Sequence, residues 1–371
     1  MQPRIFTILL LAALVLPLLA ACNTASAQNG GQQTNVSDLL GRQVTIPSKV
    51  RRVIAIGPGA LRLYVYAGSL EAIVGVEEME TGDISGKPYM LANPQLAELP
   101  VIGLGGPNNA PDPEKILAVR PDVIFSAYAT DAAADELQAK TGIPVVVLSY
   151  GGKAFGTSAI FGKTVQDSLR LVGQISGTQS KAQAAIDFIE KARQDLDART
   201  GDIPDADKPA VYVGGLGAKG THGIESTQGQ YALLDAIHAK NVVDETGQSG
   251  SLVIDKEKLL AWDPEVIFID QGGYATVRED YQKSPNFYQA LSAVQNGQVY
   301  SQLPYNYYAT NLDTAIADAY YLGKVLYPTA FADVDPAQKA DEIYQALLGQ
   351  PLYAKMAERF GEFGELKLDT K

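Results

Sequence analysis

Cysteine and tryptophan each occur once in these 371 residues, and histidine occurs twice. A single thiol excludes an internal disulfide, and two histidines in unrelated segments are too few for a tight all-protein zinc site. Basic residues are also short: 30 Lys and Arg stand against 42 Asp and Glu, a net charge of −12. A nucleic-acid partner needs a basic surface, so none is expected. Hydrolytic chemistry has little to stand on, because there is no G-x-S-x-G elbow and no compelling carboxylate pair of the kind a wall-degrading enzyme uses. The chain therefore reads as a non-enzyme with no cofactor of its own. What it does have is length and 46% hydrophobic residues, enough for two lobes of ordinary domain size, each with its own core.

The N-terminus stands apart from the fold. Arg4 precedes the uncharged run IFTILLLAALVLPLLAA, which ends at Cys22. A basic residue, an apolar stretch and small residues at its end describe an export signal, and the run is short for a membrane span and contains Pro17. Leu19-Ala20-Ala21-Cys22 resembles a bacterial lipobox, which implies cleavage before Cys22 and lipidation of its thiol. The following NTASAQNGGQQTN is polar and free of aromatics, the composition of a flexible tether. The expectation is a lipoprotein signal peptide over 1–21 and a tether over 22–38, with folding from about Leu40. The protein would then be anchored to the cell membrane and work outside the cytoplasm.

The body of the chain contains one long repeat. EKILAVRPDVIF (114–125) recurs as EKLLAWDPEVIF (257–268), 143 residues on, with eight of twelve positions identical. Each copy has helical apolar spacing up to a proline and then a short apolar strand, with the proline at the junction. RRVIAIG (51–57), AIVGV (72–76) and IPVVVLSY (143–150) read as further buried strands of a first α/β lobe. KPAVYVGG (208–215), the helical YALLDAIHA and QVYSQL (298–303) repeat that order in a second. The duplicated unit is a whole lobe. Between the lobes, residues 178–201 carry an apolar stripe at Ala182, Ala185, Ile186, Ile189 and Leu196, which predicts one stiff helix of about 33 Å. PAQKADEIYQALLG predicts a further amphipathic helix packed on the second lobe. The expected divisions are a first lobe over 39–156, linking helices over 157–205, a second lobe over 206–330 and a helical tail over 331–371.

RRVIAIGPG, AIVGV, PEKILAVRPDVIF, GIESTQGQYALLDAIHAKNVVDE and LLAWDPEVIF, in this order and spacing, resemble the substrate-binding proteins of ABC importers. Within these the chain is similar to the helical-backbone class that handles iron–siderophore complexes, haem, cobalamin and some metal or oxyanion ligands. The resemblance covers residues 40–330. It implies an α/β fold of two Rossmann-like lobes joined by a single long helix, with the ligand cleft between them. It also implies a monomer that captures its ligand and delivers it to a permease dimer with ATPase subunits. An iron chelate of siderophore type or a corrinoid is the leading ligand, with haem or an oxyanion such as molybdate or tungstate as the alternative.

Candidate ligand contacts are residues that follow strands. Pro58, Gly59 and Arg62 follow the first strand, and Tyr128 follows the first repeat; Arg62 could meet an anionic ligand. In the second lobe GLGAKG (215–220) fits G-x-G-x-x-G after a strand. It runs on into THGIEST without opening a helix, so it is read as a cleft loop rather than a dinucleotide site. Lys219 and His222 belong to that loop, and His222 could reach a chelated iron. Tyr274 follows the second repeat, and LPYNYYATN brings Tyr305, Asn306, Tyr307 and Tyr308, whose flat amphipathic faces suit a planar or catecholate ligand. His238 is read as a helix-surface residue. At each repeat start an Asp suits the helix N-cap and a Glu in the first turn complements the helix dipole. In the resembling cobalamin-binding proteins a glutamate at this place in each lobe pairs with permease arginines, and Glu114 and Glu257 are the matching residues here.

Overall fold

The computed structural model describes residues 32–151, 160–217, 220 and 222–369. The signal peptide, Cys22 and most of the tether lie outside the described residues. The fold begins earlier than Leu40: Gln33–Ser37 (β1) pairs antiparallel with Gln43–Pro47 (β2). That corrects the tether boundary of residue 38. Only Val36 of β1 is buried, so the strand has little apolar signature of its own; its partner's alternation, with Val44 and Ile46 inward, gives it a face. Leu39 N–H donates to the Val147 carbonyl at 3.0 Å and ties the hairpin to the first lobe.

In the first lobe β3 (Val53–Ile56), β4 (Val123–Ala127) and β5 (Val145–Leu148) pair in parallel in that order, and Ile73 bridges the far side of β3. In the second lobe β6 (Ala210–Gly214), the two-residue β8 (Lys240–Asn241), β10 (Val266–Asp270) and β11 (Val299–Gln302) run in the order β11-β10-β6-β8, also parallel. The two sheets have the same plan. Their central strands β4 and β10 are buried at every residue, which is why both repeats read as continuous apolar runs. A separate ribbon of β7 (Ser226–Gly229) and β9 (Gly250–Val253) flanks the second sheet.

The repeat has a local physical basis. Helices Pro113–Ala118 and Lys256–Trp262 bury Ile116 and Leu259, and each is followed by a left-handed residue before the proline, Arg120 at φ 44° and Asp263 at φ 41°. The acid that follows staples the first strand of its own lobe. Asp122 N–H donates to Arg52 O at 2.7 Å while Asp122 Oδ2 accepts from Arg52 N at 2.9 Å. Glu265 repeats this with Ala210, at 2.9 and 3.0 Å. Capping is not repeated: Asp112 accepts from Lys115 N at 3.1 Å, whereas Asp255 makes no side-chain cap.

Helix Lys163–Ser176 turns at Gly177 into the linking helix Gln179–Thr200, whose predicted stripe is buried throughout. Lys181 Nζ donates to the carbonyls of Val65 and Gly68 at its first-lobe end, and Arg199 pairs with Asp333 at 2.7 Å at the other. YALLDAIHA forms only one helical turn, Ala232–Asp235, and His238 lies beyond it at φ 51°, bonded to Asp197 at 2.8 Å. Helix Pro336–Leu348 packs on helix Leu312–Leu326 of the second lobe and also on Ala60–Ala67 and Pro88–Ala92 of the first. The tail therefore clasps both lobes. Its last described residues run along the free edge of β11, with Ser301 N donating to Gly364 O and Leu366 N to Val299 O. No helix among the described residues is long and apolar enough to cross a membrane.

Candidate functional site

In both sheets the chain leaves the first strand to one side and the repeat strand to the other, so the order reverses between β3 and β4 and again between β6 and β10. The carboxyl ends at such a reversal are where open α/β sheets bind ligands. In the first lobe a pocket of about 480 Å³ opens there. Gly57 and Pro58 after β3, Ser126 to Tyr128 at the end of β4, the Pro- and Asn-rich loop 106–111 and one face of helix Asp131–Thr141 line it, all of them in the first lobe.

Glu77 forms part of the wall, a residue that sequence reasoning missed because nothing local in VEEMET marks one of its acids as buried. Its Oε2 accepts from Gly57 N at 2.8 Å, and burial pushes its carboxyl up to about 7. Tyr128 sits at φ 59°, uncommon for a bulky residue, with its ring stacked on Tyr150 at 6.2 Å. Tyr150 in turn donates to Gly59 O at 3.0 Å. Gly59 is where the lobes touch, since a Cβ there would come within 2.7 Å of both the Ala309 Cβ and the Tyr150 hydroxyl.

Below this contact lies a buried polar cluster. Arg62 is fully buried, its Nη2 donating to Tyr307 O at 3.3 Å and its guanidinium 4.9 Å from the Tyr89 ring centre. Its Nε and Nη1 have no hydrogen-bond partner among the described residues. Lys87 donates to Met79 O and lies 4.7 Å over the Tyr307 ring. Glu80 accepts from the Tyr89 hydroxyl, and burial raises its carboxyl. Tyr66 donates across the interface to Asp313 at 2.7 Å, and burial likewise raises that carboxyl above its ordinary range.

The second lobe divides the four expected residues at its mouth. Tyr305 is buried at 4% exposure, edge-on to Tyr231 in the core, which corrects its reading as a cleft residue. Asn306 is taken up within the β12–β13 hairpin (Asn306–Tyr307 with Ala309–Thr310), where Oδ1 accepts from Thr310. Tyr307 is half-buried against Lys87. Tyr308 alone presents its ring, 50% exposed at φ 59°. Lys219 lies outside the described residues. His222 is half-buried, with its backbone so close to Gly273 that a Cβ there would meet the His222 carbonyl at 2.8 Å. Tyr274 is drawn away from the cleft, packing with Leu366 and Leu368 and bonding Lys367 O at 3.3 Å. Its place at the strand end is taken by Asp270, whose Oδ1 accepts from Gly272 N at 2.8 Å and which burial pushes up to about 7. Glu114 and Glu257 are exposed and form no ion pair among the described residues. Among the described residues no cluster of three or more His, Cys, Asp or Glu side chains is placed to hold a metal ion.

The model of the periplasmic binding protein family matches residues 64–304. The molybdate-binding protein MolA of Haemophilus influenzae is 25% identical over 345 residues, covering 88% of this chain and 95% of that one. The MolA structure with molybdate bound has a TM-score of 0.65 at 22% identity, over 86% of this chain and 98% of that chain. A periplasmic solute-binding protein from Veillonella parvula reaches 0.71 at 19% identity, over 88% and 96%. An ABC transporter substrate-binding lipoprotein of Bacillus subtilis, YvrC, is 21% identical over 81% of this chain and 89% of its own. The chain belongs to the periplasmic binding protein family, and it is a substrate-binding protein of an ABC transporter.

Proposed function

We propose that this protein captures a small-molecule metal chelate, siderophore-type or corrinoid, at the strand ends between its lobes and delivers it to an importer. The observation that carries this reading is the pocket of about 480 Å³ at the β3–β4 reversal, lined by first-lobe residues and within the range of organic-ligand sites. A tetrahedral oxyanion would fill little of it. Tyr128 on its rim and Tyr308 on the opposite lobe are both held in a left-handed backbone, and their rings suit a flat ligand. Lipidation of Cys22, supported by the lipobox-like LAAC and by the lipoprotein relative, would hold a monomer on the outer face of the membrane. Glu114 and Glu257, exposed at equivalent points of the two lobes, are the residues we assign to docking on a permease dimer with its ATPase subunits.

A second reading, an oxyanion such as molybdate, is supported by the similarity to MolA and by the two unpartnered nitrogens of buried Arg62. Native mass spectrometry of protein taken from its own host, followed by fluorescence titration with an Fe(III) catecholate, cobalamin, haem and molybdate, separates the readings. Saturable binding of the catecholate or cobalamin supports the first. Binding of molybdate alone replaces it with the second.

A further inference from the structure

The cation and the helix starts that would hold an anion in the first-lobe pocket are already engaged. Lys140 is the one cation among the described lining residues, and its Nζ pairs with Glu136 at 2.6 Å. The two helix starts that reach the pocket are closed by their own caps. Thr130 Oγ1 accepts from Ala133 N at 3.2 Å, and Asp112 Oδ1 accepts from Lys115 N at 3.1 Å. Asp131 adds a negative charge in the first turn of its helix.

Acceptors, by contrast, are left open. Glu77 is 6% exposed and uses Oε2 on Gly57 N, while Oε1 makes no hydrogen bond among the described residues. The neighbouring loop holds the side chain in place. Gly105, at φ 72°, passes so close that a Cβ on it would lie 2.7 Å from Glu77 Cβ and 2.9 Å from its Cδ. Asn109 turns Nδ2 to the Gly105 carbonyl at 2.6 Å, and its Oδ1 likewise has no hydrogen bond among the described residues. Burial pushes the Glu77 carboxyl up to about 7, the mark of a group with less water and fewer donors than its charged form needs. A buried acceptor left unmet is costly, and a donor on the ligand would remove that cost.

We infer that Glu77 determines specificity: its Oε1 accepts a hydrogen bond from an N–H of the bound chelate, so the ligand brings an amide or ammonium donor to this pocket and a polyanionic chelate is turned away. This rests on the reading of the pocket as the chelate site. The test is calorimetric titration of the full mature protein with two probes, cyanocobalamin, whose ring edge carries primary amides, and ferric tris-catecholate, a trianion. Wild type should bind the amide-bearing probe at least about tenfold more tightly. In E77Q the Gly57 N–H keeps the side-chain carbonyl, so the amide nitrogen turns into the pocket and a donor replaces the acceptor at constant shape. Cyanocobalamin should then bind about tenfold more weakly, and the catecholate no more weakly than to wild type. If E77Q fails to fold, the wild-type order of the two probes decides. Tighter binding of the catecholate by wild type, or unchanged cyanocobalamin affinity in folded E77Q, overturns the inference and leaves the chelate reading standing. Wild-type protein that binds neither probe overturns both.

Discussion

In the first lobe the reversal between strands opens into a pocket; in the second the backbones after β6 and β10 meet there, and a Cβ on Gly273 would come within 2.2 Å of the Gly215 carbonyl. There the loop after β6 folds back, with Gly215 N donating to Gly223 O at 3.2 Å and Ser226 Oγ to Leu216 O at 2.7 Å. The acids that organise these points also differ. Glu77 reaches Gly57 from outside the sheet, whereas Asp270 is the last residue of the central strand and holds Gly272. Shared features (strand order, acid staples, outward helix faces) lie away from the strand ends. Duplication kept the frame and this one helix face, and the strand ends diverged.

If the lobes are equivalent on their outer faces, each docking glutamate should count alike. E114A and E257A should each cut ligand uptake to a similar degree and E114A/E257A should abolish it, with ligand affinity and melting temperature intact. Strongly unequal single effects would show that the partner reads the lobes differently.

The next contrast is between neighbouring tyrosines. Tyr305→Ala, in the core, should cost about 3–5 kcal/mol of stability. Tyr308→Ala should change stability by under about 0.5 kcal/mol and weaken ligand binding by about 1 kcal/mol. Chemical denaturation and fluorescence titration of both variants check this, and an equal loss of stability would refute the division.

The strand-end acids give a pH-dependent contrast with the surface. Glu77 and Asp270 bind their protons more tightly folded, near 7, than unfolded, near 4.5 and 3.8, so the native state gains protons relative to the unfolded chain. Their stabilising contribution is fullest below about pH 4 and is lost as pH rises through about 7, by up to about 3–4 kcal/mol each. Glu77→Gln and Asp270→Asn should each flatten this fall in denaturation curves from pH 4.5 to 7.5. Exposed Glu190 and Asp333, lowered to about 2 by their hydrogen bonds to Arg193 and Arg199, act in the opposite sense and only at more acid pH. A fall of unchanged steepness in E77Q/D270N would mean that the two acids ionise freely.

The smallest expected effect concerns the staples. Asp122→Ala and Glu265→Ala should each cost about 1 kcal/mol in thermal denaturation, and by similar amounts, because each removes carboxylate bonds to the start of a lobe's first strand.

Much of this was legible in the order of residues. Apolar runs closed by glycine and proline located the central strands, a 3.6-residue stripe located the linking helix, and the dodecamer revealed duplication. These signals are local: strand and helix periods are written in consecutive side chains, and a lobe duplicated in sequence folds the same way twice. The sequence alone also placed Pro58 and Tyr128 at strand ends and put Glu114 and Glu257 at equivalent points. What covers a side chain is decided by segments far along the chain, and no local period carries it. Tyr305 faces the core because Tyr231, 74 residues before it, packs on its ring. Tyr274 turns from the cleft because the C-terminal tail returns to β11. Arg62, an ordinary residue in its local sequence, is buried because Tyr307 of the second lobe and Tyr89 of its own lobe close over it. Glu77 and Asp270 hold protons near neutrality because burial strips water from their carboxyls, and only the assembled lobes supply that burial.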